Sequence, residues 1–218
     1  MNKHSLTFEC PKCQHTDTIE VPDSVNANKD PVEYQKLLAG DFFETACRFC
    51  GSKISLTYNL LFHDPNHKAM AFYCPDDKSI KEAEDSIKKA SSLPAGAPLS
   101  NYTLRIVTSE KALSEKALIW SLGFDDKAVE IWKLTYLYHV LSHKKDFVAD
   151  ASYLTKNDDS FDVDFYNEGK YLASISGDVS LLPDVSTRFL NKDVKDDSYY
   201  IDQQWAKDHL SKLLHRPD

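Results

Sequence analysis

Two Cys-x-x-Cys pairs constrain this chain more than any other feature of its sequence. Cys10 and Cys13 form the first pair, and Cys47 and Cys50 form the second. Each such turn places two sulfur atoms on one edge of a tetrahedron, and zinc prefers tetrahedral ligation by thiolates. The spacing therefore predicts one structural Zn²⁺ ion in a closed site, with no open position for water or substrate.

Two other interpretations of these cysteines stay open at the level of sequence. The run Cys10–Cys13 is similar to a dithiol redox turn, in which a lowered pKa makes one thiol nucleophilic. The four cysteines could also be unliganded thiols. The second pair is followed by Gly51, as in a zinc knuckle, and this favours a metal site over both alternatives.

The 33 residues between the two pairs exceed the usual spacing, and an inserted helix explains the excess. Asp30 is a suitable N-cap, Pro31 fits the first helical position, and Gly40 fits the C′ stop. Alternating apolar residues predict strands around this helix, at 6–10, 18–21, 54–60 and 67–74. Residues 1–76 are therefore expected to form a β-rich, zinc-ribbon-like unit.

The rest of the chain predicts a connecting segment and a second domain. A capping box at Ser79 and a run rich in Pro and Gly after residue 91 indicate that 77–101 is a helix followed by a linker. Residues 102–218 are expected to be an α/β C-terminal domain with a core helix from Asp125 to about Ser142. Its predicted strands lie at 102–107, 147–154, 161–166 and 170–176, and Asn167-Glu168-Gly169 is expected to turn the last two into a hairpin. The predicted fold class is α+β.

The charge of the chain bears on its partners. The net charge is −8: residues 1–76 hold 7 Lys and Arg against 10 Asp and Glu, and residues 77–218 hold 19 against 24. Because binding to a phosphate backbone needs a basic excess, nucleic acid is disfavoured as a partner. No apolar run approaches the roughly 20 residues that span a bilayer, and the N-terminus has no apolar signal segment. We therefore expect a cytoplasmic protein without membrane association.

Several stretches around the cysteines resemble the bacterial CpXC-domain proteins, a family named for paired Cys-Pro-x-Cys-type motifs. The similar stretches are 25–31, 37–42, 47–51, 60–65, 104–107 and 113–116. The resemblance implies a zinc-ribbon-like domain over the first part of the chain. It implies no activity, because the family is functionally uncharacterised. Arg48 stands where the family pattern has proline, so the resemblance does not account for the rigidity of the second turn.

Other side chains are weaker candidates for chemistry. His63 and His67 flank a turn that contains Asp64, and Cys74 is expected across the hairpin, so a second metal or an acid–base site is conceivable there. The spacing matches no established ligand motif, which favours an ordinary polar turn. The apolar pattern around Cys74 favours a buried thiol over a nucleophile.

Two further patterns are better explained by structure than by metal binding. His139 and His143 are spaced as in a zincin helix, but Val140 stands where the catalytic Glu would be. A partly exposed pair at a helix end is favoured. The acidic run 157–164 lacks the Gly and Glu of a calcium loop, and a strand with one solvated face explains it.

These patterns favour a binding role over a catalytic one. The expected function is that of a structural-zinc protein whose ribbon presents a surface to a protein partner or to a second copy of itself. The alternative is an enzyme with its active site outside the zinc site, in the C-terminal domain or around His63 and His67. The sequence does not decide between them. A nucleic-acid module is a third reading that the charge argues against.

Overall fold

The computed structural model describes residues 2–91, 99, 101–157, 160–190 and 198–214. Helices and several small sheets fill these ranges, which confirms the α+β class predicted from the sequence. The chain divides into two compact units, Met1–Ala117 and Leu118–Asp218. No helix in the described ranges is long and apolar enough to cross a bilayer.

The first unit contains three small sheets and two complete helices in its described residues. The strands are β1 Lys3–Glu9, β2 Thr16–Pro22, β3 Ser24–Asn26, β4 Glu44–Ala46, β5 Lys53–Ser55, β6 Leu60–Asp64, β7 Ala69–Tyr73 and β8 Thr103–Val107. The helices are α1 Pro31–Ala39 and α2 Asp77–Ser91. The hairpins β1–β2 and β4–β5 carry the two cysteine turns. A four-stranded sheet, in the order β3-β6-β7-β8, forms the larger layer.

Helix α1 separates the two cysteine turns, as the sequence predicts. Gly40 ends it in the left-handed conformation, with φ of +76° and its N–H directed to the O of Leu37. The Asp30 side chain does not cap the helix. Its Oδ2 accepts a hydrogen bond from the N–H of Asn26 instead, because the chain doubles back before the helix begins. The predicted capping residue of α2, Ser79, also does not cap its helix, because α2 begins at Asp77. The Oδ1 of Asp76 accepts a hydrogen bond from the N–H of Ser79 at 2.8 Å instead.

The alternation over residues 54–60 predicted one strand, and this prediction was wrong. The structure has two strands there, β5 and β6, joined by an extended segment that is unpaired in the sheets. Leu56 and Tyr58 in that segment are buried, at 6% and 7% exposed. The N–H of Leu56 still donates to the O of Phe43 at 2.9 Å, next to the β4–β5 pairing. The alternation therefore records burial of every second side chain, although the strand itself is interrupted at 56–59.

Strand β8 lies in the first unit, although the sequence placed residues 102–107 in the C-terminal domain. It pairs in parallel with β7, with Phe72 opposite Ile106. The apolar run identified the strand correctly but carried no signal for its partner. A parallel pair needs a long crossover connection, and here that connection contains α2. Residues 92–98 of the predicted linker lie outside the described residues.

The second unit packs helices on a three-stranded antiparallel sheet. The elements that follow β8 are α3 Glu110–Ser121, α4 Asp126–His143, β9 Ala151–Asn157, β10 Ser160–Asn167, β11 Lys170–Gly177, α5 Leu182–Phe189 and α6 Gln203–Leu214. The boundary between the units falls within α3. The predicted core helix is α4, where Trp132 and Leu134 are each 1% exposed. The sheet order is β11-β10-β9, and Glu168-Gly169 forms the two-residue turn that the sequence predicts.

Candidate metal centre

The first cysteine turn lies between β1 and β2. The N–H of Gln14 donates to the O of Cys10 at 2.8 Å, and the N–H of Cys10 donates to the O of His15 at 2.9 Å. Gln14 has a φ of +61°, a left-handed conformation that is uncommon for a residue with a side chain. These bonds fold the chain back sharply, so the thiols of Cys10 and Cys13 face the same side.

The second cysteine turn, between β4 and β5, repeats this pattern. The N–H of Gly51 donates to the O of Cys47 at 2.9 Å, and the N–H of Cys47 donates to the O of Ser52 at 2.9 Å. Gly51 has a φ of +69° and occupies the position that Gln14 takes in the first turn. The two turns are therefore local copies of one knuckle. Only the second copy shows its left-handed residue as a glycine in the sequence.

The four cysteine sulfur atoms come together where the two knuckles meet. The Sγ atoms of Cys10 and Cys50 are 3.7 Å apart, as are those of Cys13 and Cys47. All four lie within 4.8 Å of one another. Four sulfur atoms at ~2.3 Å from a central ion in a tetrahedron would be ~3.8 Å apart. Both cross-turn distances match that edge, so the four thiols fit a metal ion.

Exposure and hydrogen bonding differ among the four thiols. Cys10 and Cys47 are buried, Cys13 is intermediate and Cys50 is exposed. The hydroxyl of Ser52 lies 3.1 Å from the Sγ of Cys50. Hydrogen bonds from the side chain and then the backbone of Ser52 lower the pKa of the Cys50 thiol to about 6. The backbone hydrogen bond with His15 lowers the pKa of the Cys13 thiol, but burial and the hydrogen bonds of the other cysteines outweigh it and raise this pKa to about 12. The thiolate, which is the form that binds a metal, is therefore favoured at Cys50 and disfavoured at Cys13 in the metal-free cluster.

Arg48 ties the second knuckle to the first hairpin. Its Nε donates to Oδ2 of Asp17 at 2.6 Å, its Nη2 contacts Oδ1 of the same carboxylate, and Nη2 also donates to the O of Thr18 at 2.9 Å. The side chain of Asp17 is 8% exposed. The hydrogen bonds from Arg48 lower the pKa of Asp17. This bidentate contact anchors the second knuckle to the first hairpin.

An aromatic pair lies beside the cluster. His15 follows the first knuckle and Phe49 lies inside the second, and their rings stack at 4.4 Å with 19° between the planes. Phe49 is 58% exposed and His15 is also exposed. Sequence reasoning missed this pair, because only the meeting of the two knuckles brings the rings together.

His63 and His67 are held by separate partners. The buried carboxylate of Asp64 orients His67, with Oδ2 2.7 Å from Nδ1. The Nε2 of His63 lies 3.2 Å from the hydroxyl of Tyr102, and burial lowers the pKa of His63. In the described residues, neither histidine hydrogen-bonds a serine or cysteine, and neither belongs to a group of three metal-binding side chains.

Cys74 is a buried thiol, as its apolar pattern predicts. It is 3% exposed, and burial raises its pKa to about 11, so it is protonated at neutral pH. It lies in the wall of a cleft of about 320 Å³ within the first unit. His4 and Asp23, which are 2.6 Å apart at Nδ1 and Oδ1, line the same cleft. A protonated thiol is a poor nucleophile, so this cleft has no activated cysteine.

His139 and His143 form an exposed pair at the end of α4, as expected. Their ring centroids are 4.8 Å apart, and Nδ1 of His143 lies 3.0 Å from the O of His139. They do not join a group of three metal-binding side chains in the described ranges.

The acidic run forms a strand face, as the sequence favours. Asp164 accepts hydrogen bonds from Ser174 at 2.6 Å and from Thr155 at 3.3 Å, across both neighbouring strands. Residues 158 and 159 lie outside the described residues.

The fold and the cysteine cluster define a class: an α+β protein with a zinc-ribbon-like N-terminal unit. Comparison with protein families matches residues 8–133 to the family described as CpXC protein, and this match covers more than half of the chain. The chain belongs to the CpXC family. No curated protein matches it significantly. No solved structure matches it significantly either.

Proposed function

We propose that the four cysteines hold one Zn²⁺ ion and that this ion is structural. The donor set supports zinc, because four thiolates in a tetrahedron are a standard ligand set for structural zinc sites. The 3.7 Å distances between Cys10 and Cys50 and between Cys13 and Cys47 carry this proposal. Thiolates also need a reducing compartment, which supports a cytoplasmic location.

Ligation by four sulfur atoms also argues against a catalytic role for the ion. A Zn²⁺ ion that activates water keeps one coordination position open, whereas four sulfur ligands fill the tetrahedron. The ion would instead hold together two small hairpins that share little core. Leu6 and Ile19, which face each other across β1 and β2, are both incompletely buried. The hairpins therefore depend on the metal and on the contact between Arg48 and Asp17.

We further propose that the zinc-bound ribbon binds a protein partner through its aromatic pair. Exposed aromatic side chains on a rigid support are typical of protein-binding hot spots. The pair of Phe49 and His15 is assembled from both knuckles, so the metal would fix its geometry. The net charge of −8 supports a protein partner over nucleic acid.

Alanine substitution of one ring of this pair tests the binding role. Full-length wild-type protein, Phe49→Ala and Val32→Ala would each be purified, with bound partners, from the cells in which the protein occurs. Val32 is the matched control, because it is an apolar side chain on α1 that is 63% exposed. We expect Phe49→Ala to lose a stoichiometric partner that the wild type and Val32→Ala retain, with zinc content unchanged. Equal retention of the partner by all three proteins would contradict the proposed surface.

A further inference from the structure

Helix α4 ends in two histidines that share one face. His139 and His143 are four residues apart, a spacing that makes two side chains neighbours on a helix surface. Their ring centroids are 4.8 Å apart, with 53° between the ring planes. Both residues are exposed to solvent. The helix therefore presents two imidazoles to the same small volume of solvent.

Hydrogen bonds fix the tautomer of His143. Its Nδ1 lies 3.0 Å from the O of His139 and 2.9 Å from the Oγ of Ser142. The carbonyl oxygen can only accept, and the Ser142 hydroxyl already donates to that same oxygen at 2.7 Å. In the neutral ring, Nδ1 therefore carries the hydrogen and Nε2 keeps its lone pair. Histidines that bind metals are usually oriented in this way, by donating their other N–H to a backbone carbonyl, a carboxylate or water.

The separation of the two rings fits a metal ion held by both. An ion at ~2.1 Å from an imidazole nitrogen lies about 3.2 Å from the ring centroid. Two centroids 4.8 Å apart then subtend about 97° at that ion. Adjacent ligands meet at about 90° in a square-planar site and at about 109° in a tetrahedral one. The observed separation falls between these values, so the two rings can fill adjacent positions in either geometry.

We propose that His139 and His143 bind one divalent transition-metal ion between their ring nitrogens, in a second site that is separate from the four cysteines. Val140 in place of glutamate removes the base of a zincin helix, but it leaves both of the histidine ligands. Two protein ligands leave the other coordination positions open to water. This site is therefore exposed and exchangeable, unlike the closed cysteine cluster.

The surroundings of the pair favour one kind of ion. Imidazole nitrogen suits Ni²⁺, Cu²⁺ and Zn²⁺, whereas Mg²⁺ and Ca²⁺ prefer oxygen ligands. Within the described part of the chain, no carboxylate or thiol joins the two histidines in a group of three. Lys144 and Lys145, both exposed, follow the pair directly. Coordination by nitrogen, and not attraction between charges, must therefore hold the ion, which favours a transition metal over a hard cation.

Nickel binding to the full-length, zinc-loaded protein tests this site. Ni²⁺ is the probe because it stands high in the affinity order of divalent metals and, unlike Cu²⁺, does not oxidise the cluster thiols. Equilibrium dialysis would count nickel and zinc per chain in the same samples. We expect the wild type to bind one Ni²⁺ ion per chain with its zinc content unchanged. His139→Gln and His143→Gln should each weaken nickel binding about tenfold or more, because a single imidazole lacks the second ligand.

Two variants serve as controls. Tyr138→His/His139→Gln keeps two histidines at the end of α4 but spaces them five residues apart, about 140° around the helix. Tyr138 is 54% exposed, so the exchange leaves the core intact. This variant should bind nickel no better than His139→Gln. His4→Gln, which removes an exposed histidine of the first unit, should bind nickel like the wild type.

Two results would overturn the proposal: a wild type that binds no nickel, or a spacing variant that binds nickel as tightly as the wild type. The inference rests on the end of α4 alone. Zinc content, measured in the same samples, reports on the proposed function separately.

Discussion

Replacing Gly177 with alanine tests how tightly the second unit is packed where β11 ends. A Cβ atom on Gly177 would lie 2.4 Å from Cη2 and 2.7 Å from Cζ2 of Trp132. Nonbonded carbon atoms rest about 3.5–4.0 Å apart, so the ring would have to retreat by about 1 Å. Trp132 is 1% exposed, and its Nε1 donates to the O of Asp178 at 3.1 Å. Tyr136 packs against the ring edge, with centroids 4.8 Å apart. The indole has no room to move without losing these contacts.

The expected cost combines three effects. Overpacking a filled core costs about 1–3 kcal/mol. Stretching the Trp132 hydrogen bond beyond its range costs about 0.5–1.5 kcal/mol more. Alanine also lowers the conformational entropy of the unfolded chain, which stabilises the folded state by about 0.4–1 kcal/mol. Gly177→Ala should therefore lower the free energy of unfolding by about 2 kcal/mol, or roughly thirtyfold in the unfolding equilibrium constant.

Urea unfolding followed by circular dichroism measures this change, and a midpoint about 1 M lower is expected for a typical slope near 2 kcal/mol per M. Trp132→Phe supplies the control, because phenylalanine lacks the fused-ring atoms that the new Cβ would meet. In that background the Gly177→Ala step should cost little, which a double-mutant cycle reports as coupling between the two sites. An unchanged midpoint for Gly177→Ala alone, or an equal cost in both backgrounds, would refute the packing described at this position.

Three further perturbations test other contacts. Arg48→Ala removes the partner of Asp17 and should speed the release of zinc to a chelator. Arg48→Lys should speed it less, because lysine keeps the charge. Equal release rates for the wild type and Arg48→Ala would contradict the role of this contact. Lys133→Met breaks the buried pair with Glu130, whose Oε1 lies 2.9 Å from Nζ. It should lower the free energy of unfolding, measured by thermal denaturation, by about 3–5 kcal/mol. The double variant Glu130→Leu/Lys133→Met should regain part of this stability, because it leaves no unpaired buried charge. Burial lowers the pKa of His63 in the folded protein. As the pH falls, the imidazole of His63 therefore becomes protonated in the unfolded chain before it does so in the folded protein. Stability of the first unit should drop below about pH 6.5, and His63→Gln should flatten that dependence; an unaltered pH profile would count against it.

Local signals in the sequence explain what could be predicted. The cysteine turns, the Pro31 start and Gly40 end of α1, and the Glu168-Gly169 hairpin turn are each set by a few adjacent residues. These features were identified correctly because the hydrogen bonds that define them close within five residues. The gathering of the four thiols followed from the spacing of the pairs, since a single metal requires both turns to meet.

Contacts between distant residues explain what the sequence did not reveal. Asp17 and Arg48 are 31 residues apart, and neither carries a local sign of the bidentate contact. The parallel pairing of β8 with β7 depends on a crossover, not on the composition of either strand. Gln14 takes a left-handed conformation without being glycine, because the knuckle hydrogen bonds impose it. Such features arise only when separate segments pack together.

Metal analysis of the purified protein tests the central claim most directly. The wild type should contain one zinc ion per chain. Cys74→Ser should retain it, because the Cys74 thiol is buried outside the cluster. Cys47→Ser should lose the ion and unfold the ribbon hairpins, since one of the four ligands is gone. Full zinc in Cys47→Ser, or a wild type that binds no zinc when it is purified under reducing conditions, would contradict the assignment.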